Sequence, residues 1–579
     1  MKLEKIDPSL TVVLKNFKLE GLNGLKKHMN SLGIISSTEN SPKLPRLVSF
    51  VYCDSNAKFD NLVTRNIIVN QKKGKIRTAF FPLDSLDEVS EDDRIKRIIP
   101  AQYLKMKMDI APGKVNLPTF VNSTGLGGNG VIIGIVDSGI DPNHASFDGR
   151  ILKIWDQGLS GPGVDEGHYG LELSGNMLTA SRDVHGHGTH VAGMAGGMQP
   201  KFAGVAPKSK FLIVKTDFQN AHIADGIRYI FRVASDLGKP AVVNLSLGGH
   251  FDPHDGTDPL SQIISSEVGP GKIVCCAAGN EGTDNIHSQK VVAKNQVRSI
   301  RFMIPKQGPQ WAALNGWYSG TDKIKISVKS PTGFNTPYQK VITGGDPTRE
   351  YDLPDGKVTI VTSPPDPSNG DHNFIVYVEP HNLSSLPVET TWKVLLRGEL
   401  INNGRVDIWI FDNLDQQESF FTGTSVSDSV KIGSPGSATE AVTVASYTTK
   451  NKWIDIDGVQ RSIAFTLDSI SDFSSEGPLR NEIQKPDIAA PGAYICSSLS
   501  ADSELDRRFM VSQSLRMMAG TSMATPFITG IVALLLERDN NLDPNGVKSI
   551  LRANARIPGH PQNTFDTKWG HGLIDMSQV

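Results

Sequence analysis

Four short apolar runs constrain this chain most: Val131–Val136, Phe211–Val214, Ala241–Leu245 and Ile273–Ala277. Each is short for a buried helix, and none alternates with polar residues as a strand with one wet face would. They read as strands covered on both faces. Helical segments lie between them, His190–Met198 and Ile223–Leu237, the second with apolar residues three and four apart. Strands alternating with helices predict an α/β fold with a doubly wound, mostly parallel sheet. Such sheets bind ligands beyond the carboxyl ends of their strands, so the residues after these runs are where chemistry is expected.

The rest of the 579 residues must form further domains, at a prior of about 150 residues each. Hydrophobic residues (38%) and charged residues (21%) are those of an ordinary globular protein. Lys plus Arg (59) nearly balances Asp plus Glu (61), which gives no basis for expecting a nucleic-acid partner, although it rules out neither an acidic nor a basic local patch. Four cysteines make no disulfide framework, and none has zinc-site spacing. Cys275 and Cys276 are neighbours in a strand, so they point to opposite faces and do not bond each other. No apolar run approaches the ~18 residues of a membrane span, so no membrane partner is expected. The first residues lack the apolar core of a signal peptide, so the expected location is cytoplasmic, with secretion by another route left open.

Residues 1–45 are polar and uneven, an extension with one short helix expected over Leu22–Leu32. Residues 46–104 read as βαββαβ, a ferredoxin-like unit. Its strands are Val48–Cys53, Asn66–Asn70, Lys75–Phe81 and Ile95–Ile99. A short helix is expected over Asn56–Thr64, and Ser85 with Glu88 forms a capping box that opens a second. Over residues 295–415 helical periodicity vanishes. Strands are expected at Ile324–Val328, Val358–Val361, Phe374–Val378, Trp392–Leu396 and Val406–Phe411, an antiparallel β-sandwich inserted into the α/β unit. The α/β pattern occupies 105–294 and resumes over 416–579.

Four segments carry chemistry. Asp137 ends a buried strand and is followed by Ser-Gly. The run Asp183–Gly193 begins a helix and holds His185, His187 and His190, whose spacing does not match a helical zinc pair. Asn280 follows another buried strand, where a side-chain amide can donate to an oxyanion. Gly520–Pro526 runs into an apolar helix; Pro526 belongs in a first turn, which places the helix start at about Ser522. A serine there has free backbone N–H groups and the positive end of the helix dipole beside it. Singly, each has a bland reading as a turn or a cap. Together they supply the nucleophile, base, orienter and oxyanion donors that serine hydrolysis requires. The order Asp, His, Ser is a known chain order for the triad.

The chain resembles the subtilase family of serine proteases over about 127–290 and 425–579. Asp-Ser-Gly at Asp137, His-Gly-Thr-His-Val-Ala-Gly from His187, Ala-Ala-Gly-Asn ending at Asn280 and Gly-Thr-Ser-Met-Ala-Thr-Pro around Ser522 are its motifs. Gly204–Pro207, Asn244–Gly249 and Lys485–Gly492 are similar to it too. The resemblance implies a serine endopeptidase acting on peptide or protein substrates. Ser522 would be the nucleophile, His187 the base and Asp137 its orienter, with Asn280 and the Ser522 N–H as the oxyanion hole. Ser246, Leu247 and Gly248 would pair with substrate backbone, and Ala277, Ala278 and Gly279 would wall the pocket for the residue before the cut. No cofactor is implied. Calcium stabilises many members, but the sequence identifies no ligand set, so no metal residue is named.

The family also implies that the unit before the catalytic part is a propeptide, an intramolecular inhibitor cut near Tyr103 or Leu104; the alternative is that this unit is never removed. The stretch between Asn280 and Ser522 is far longer than a minimal member needs, and the insertion accounts for most of it. It restricts access, binds substrate, or is a stabilising appendage or oligomer contact. Two rival functions remain at this point. One is a blocked protease fold that serves as a binding protein; the other is a transferase that passes the acyl group to an amine.

Overall fold

The computed structural model describes residues 2–21, 24–25, 28, 32, 34–35, 45–101, 105–106, 113–199, 202–305, 311–381, 391–411 and 419–579. The chain divides into two compact units, Met1–Tyr103 with Asp284–Asp428, and Leu104–Thr283 with Ser429–Val579.

The second unit is built on one large sheet. Its central strands lie in the order Ile151–Asp156, Lys210–Lys215, Ile132–Asp137, Ala241–Leu245, Lys272–Ala277, Val442–Thr448, Ile488–Pro491. Neighbours in that series all pair in parallel. The four apolar runs are among these strands. Strand Ile132–Asp137 comes first in the chain but lies between later ones, so the connections leave it in both directions. Its carboxyl end, at Asp137, is the topological switch point of the sheet.

Successive side chains of this strand face opposite layers. Ile133 and Ile135 join a core with Val191, Ala195, Phe527 and Ile531, which come from helices His187–Gly196 and Thr521–Arg538. Gly134 faces the other way. A Cβ there would stand 2.6 Å from Ile230 on helix Asn220–Asp236, so the glycine lets that helix lie directly on the sheet. The adjacent cysteines split in the same manner. Cys275 belongs to the core under Thr521–Arg538 and Cys276 does not; both are buried free thiols, and burial pushes the Cys275 thiol up to about 12.

The first unit contains an antiparallel sheet in which Arg46–Cys53 pairs with both Ile76–Pro82 and Ile95–Pro100. Ile68–Val69 adds to the far side of Ile76–Pro82. Ser85 does not cap by its side chain. It sits in right-handed helical geometry at the end of turn Leu83–Ser85, which runs straight into helix Leu86–Glu91, whereas a capping residue must be extended. The expected helix over Leu22–Leu32 falls mostly outside the described residues. A helix the sequence reading missed spans Pro8–Glu20, with Asp7 accepting the Ser9 N–H at 3.0 Å and proline in the first turn. Asp-Pro at the front and Gly21 behind are the signals that mark it.

The remainder of this unit is two antiparallel sheets. One runs His287–Val291, Arg405–Ile410, Ala312–Tyr318, His372–Pro380, Gly356–Thr362, Thr348–Leu353; the other Lys323–Lys329, Thr391–Leu400, Val297–Met303, Phe420–Thr422. Alternate residues of both, including Phe302, Leu314, Ile326, Val376, Trp392 and Ile408, form one shared core. Among the described residues no helix is long and apolar enough to cross a membrane.

Candidate active site

Asp137 is fully buried at the end of its strand. Its Oδ1 accepts the Ser138 N–H at 2.7 Å and lies 2.5 Å from His187 Nδ1. A carboxylate at Nδ1 holds the proton there and leaves Nε2 as the basic nitrogen. His187 is the first residue of helix His187–Gly196, three residues before the start expected from periodicity. That start is held by Asp183, which sequence reading gave no role. Asp183 Oδ1 accepts Gly186 N–H (2.9 Å) and Ser138 Oγ–H (2.8 Å), and its Oδ2 accepts Thr189 N–H (2.9 Å) and Thr189 Oγ–H (2.6 Å). One buried carboxylate thus ties the helix carrying the histidine to the loop after Asp137. Gly188 is required by space: a Cβ would meet the Gly139 carbonyl oxygen at 2.1 Å.

His190, the last of the three neighbouring histidines, is fully buried, with Nε2 3.1 Å from the Arg516 carbonyl. Burial drives its pKa well below the ordinary value, so it is a neutral core residue. Among the described residues no cluster of three metal-ligating side chains occurs.

Helix Thr521–Arg538 begins one residue before Ser522, and Pro526 lies inside it rather than in its first turn. The correction has a physical explanation. A proline at position 526 cannot donate to the Ser522 carbonyl four residues back. The Ser246 hydroxyl does so instead, at 2.7 Å, and the Ser522 hydroxyl donates to the Ser246 carbonyl at 2.9 Å. Ser246 is in turn held by Asn244 Nδ2 (2.9 Å), whose amide oxygen accepts from Thr529 Oγ (2.9 Å) one helical turn further on. All of these side chains are fully buried. Ser246, expected to line the substrate strand, therefore also repairs the helix that carries Ser522.

Asn280 is oriented by its oxygen. Oδ1 accepts the Thr521 N–H at 2.9 Å and Thr521 Oγ–H at 3.0 Å. A backbone N–H can only donate, so the amide cannot be flipped and Nδ2 is its remaining donor end. The Thr521 N–H is thereby used, and the Met523 N–H goes to the Gly520 carbonyl at 3.2 Å. The Ser522 N–H between them is one of the donors a helix start leaves without an intrahelical acceptor.

A small pocket adjoins these groups. One wall is Leu247, Gly248, Gly249 and His250, and the other Ala277, Ala278 and Gly279. The sequence could not assign its end. Glu281 and Gly433 complete the lining, and Glu281 Oε2 accepts the Asn280 N–H (2.8 Å) and Ser475 Oγ–H (3.0 Å), with His250 Nε2 at 3.4 Å. Along the rim, Lys105–Met106 pairs antiparallel with Leu247–Gly248, Lys105 opposite Gly248 and Met106 opposite Leu247. Ser522 is 0% and His187 2% exposed in this arrangement, so neither is open to a large substrate.

Comparison with known proteins places this geometry. The model of the subtilase family matches residues 128–303 and 403–572. The PI-type proteinase of Lactococcus lactis subsp. cremoris is 26% identical over 468 residues, 72% of this chain and 23% of that protein. The subtilisin-like protease SBT3.4 of Arabidopsis thaliana is 24% identical over 542 residues, 81% of this chain and 64% of that protein. The chain spans less than a quarter of the length of the lactococcal relative. The solved Clostridium perfringens CspB protease superposes with a TM-score of 0.65 at 24% identity, covering 80% of this chain and 98% of that one, which establishes a shared fold.

Proposed function

Because the chain belongs to the subtilase family, we propose that it is a serine endopeptidase, made as an inhibited precursor. The observation that carries the first half is the buried Asp137 carboxylate, 2.5 Å from His187 Nδ1, at the switch point of the sheet. In this reading Ser522 Oγ attacks the scissile carbonyl carbon while His187 Nε2 takes its proton. A hydroxyl proton serves one acceptor at a time, so Ser522 must first leave the Ser246 carbonyl that now holds it. Asn280 Nδ2 and the Ser522 N–H stabilise the oxyanion. His187 then protonates the amine as the C–N bond breaks. A water, deprotonated by the same nitrogen, attacks the ester and restores Ser522. Asp137 steadies the imidazolium.

The second half is supported by Lys105–Met106, which occupies Leu247–Gly248 as an added strand, the way a peptide substrate joins a sheet edge. Residues 46–104 are then the propeptide-type unit, and the two-sheet body, which falls mostly between the two stretches matched by the family model, is an inserted sandwich. Tyr103 and Leu104, where the sequence put the junction, lie outside the described residues. On the strength of the pairing of Lys105 and Met106 with Gly248 and Leu247, we place the cut after Lys107, the next residue in the sequence.

Intact mass of the wild type and of Ser522→Ala, each with and without a fluorophosphonate probe, tests the reading. The wild type should lose its N-terminal piece and gain one probe, and the variant should do neither. A wild type that remains full length and unlabelled after prolonged incubation, or a Ser522→Ala variant that still self-cleaves, overturns it.

A further inference from the structure

The pocket beside Asn280 ends on a chain of titratable groups that the proposed chemistry does not use. Glu281 and His250 both line it, and the Glu281 carboxylate lies 3.4 Å from His250 Nε2. Behind His250 stands His254, fully buried, its ring nearly parallel to that of His250 and its Nε2 3.0 Å from His250 Nδ1. His254 Nδ1 in turn lies 3.0 Å from the Asp252 carbonyl oxygen and 3.6 Å from the Asp252 carboxylate. A carbonyl only accepts, so His254 Nδ1 carries a hydrogen. A second hydrogen sits between the two rings, and His250 Nε2 needs a third to meet a carboxylate. Two neutral imidazoles hold two such hydrogens, so the pair that satisfies all three contacts bears one shared positive charge facing Glu281. The other charged groups around the pair have partners of their own. Asp255 pairs with Arg480 at 2.6 Å, and Lys431 donates to the carbonyl of Gly282, next to Glu281, and lies 3.7 Å from Glu476. Asp252 accepts the Ser434 N–H and the Ser437 Oγ–H at 3.0 Å each, and burial, with Asp258 nearby, pushes its carboxyl well above the ordinary range. Asp258 accepts the Ser434 Oγ–H at 2.8 Å.

We propose that His250 and His254 are a proton switch on the choice of the residue before the cut: with their shared proton the pocket end is neutral, and without it Glu281 selects a lysine or arginine side chain. This rests on the endopeptidase reading and gives it a pH-dependent substrate class. While the proton is in place, a positive side chain entering the pocket meets an imidazolium as well as a carboxylate, and gains little. Imidazoles exchange protons in the neutral range. As the pH rises, the proton passes to solvent through the pocket that His250 lines. Glu281 is then left as a net negative charge at the end of a pocket walled by Leu247, Gly248, Ala277, Ala278 and Gly279. Such a charge, away from bulk water, attracts a cationic tip more strongly than an exposed one would. Lys107, the residue placed before the cut above, is of that class.

The test compares matched chromogenic peptides with lysine or methionine before the scissile bond. They are cleaved by the self-processed wild type between about pH 5 and 9, with rates taken per site titrated by the fluorophosphonate probe. The titration of His187 affects both peptides alike and cancels in the ratio of their kcat/KM values. That ratio, lysine over methionine, should rise about tenfold or more across a single one-proton step. His250→Gln keeps a donor for Glu281 but holds no extra proton, so its ratio should be high and independent of pH. Glu281→Gln should keep the ratio low throughout. A wild-type ratio that does not change with pH, or a step that persists in His250→Gln, overturns the switch. A second readout needs no activity. In the full chain carrying Ser522→Ala, with isotope-labelled histidine followed by nitrogen NMR, two rings should titrate together, and His250→Gln should remove that joint transition. Independent titration of the two rings overturns the shared proton. If the wild type cleaves neither peptide and takes up no probe, the endopeptidase reading is what fails, and the NMR titration still decides whether the pair shares a proton.

Discussion

Asn280 has two jobs in the structure, and two substitutions separate them. Its Oδ1 receives the Thr521 N–H and hydroxyl at 2.9 and 3.0 Å, an anchor for the start of the serine's helix. Its Nδ2 is the donor offered to the oxyanion. Asn280→Asp keeps an acceptor for Thr521, at a helix N-terminus that favours negative charge, and removes the donor. The catalytic step should slow by about 100- to 1,000-fold, or roughly 3–4 kcal/mol of barrier, with stability nearly unchanged. Asn280→Ala removes donor and anchor together. It should lose as much rate and also about 1–3 kcal/mol of stability, since a buried N–H loses its acceptor. Self-cleavage followed by intact mass gives the rate without knowledge of the substrate, and urea denaturation of the same variants in the Ser522→Ala background gives the stability. Self-cleavage of Asn280→Asp within tenfold of wild type would refute the oxyanion role. Equal stability of the two variants would refute the anchor.

Ser246→Ala should cost about 1–3 kcal/mol, because the Ser522 carbonyl loses the donor that replaces the missing N–H of Pro526. Adding Pro526→Ala to that variant should recover part of the loss, and a denaturant double-mutant cycle showing strict additivity would contradict the arrangement. His190 is held neutral when folded and has an ordinary pKa near 6.5 when unfolded. Its contribution is therefore complete above about pH 6.5 and lost below it, by up to about 1.4 kcal/mol per pH unit until the lowered folded value is reached. His190→Gln should flatten stability between about pH 6.5 and 5, and identical slopes in wild type and variant would exclude the assignment. The processed chain should begin at Met108, and a start at Leu104 or Lys105 would show that the register of Lys105–Met106 on Leu247–Gly248 is not the one that is cut.

The parts legible in the sequence are those written in local pattern. Val131–Val136 reads as a strand buried on both faces because every residue of it is apolar or glycine, and it is one. Asp137, His187, Asn280 and Ser522 could be singled out because each follows such a run or opens a helix, where backbone geometry leaves side chains and N–H groups exposed to chemistry. Cys275 and Cys276 could be kept apart by strand alternation alone. The helix Pro8–Glu20 was legible but overlooked, since its Asp-Pro start stands in a segment judged by its uneven composition.

Other features depend on groups that only folding brings within reach. Asp183 is one carboxylate among many until the loop after Asp137 and the start of His187–Gly196 close around it. Pro526 reads as a first-turn proline, and nothing near it shows that Ser246, just past the end of a strand hundreds of residues earlier, will supply the missing donor. The end of the pocket combines Glu281 and His250 with Gly433 across the whole length of the intervening sheets. Element type follows from periodicity, which neighbours in the chain share. Hydrogen-bond partnership follows from which long loops close, and buried donors and acceptors are paired by whatever the closed fold sets opposite them.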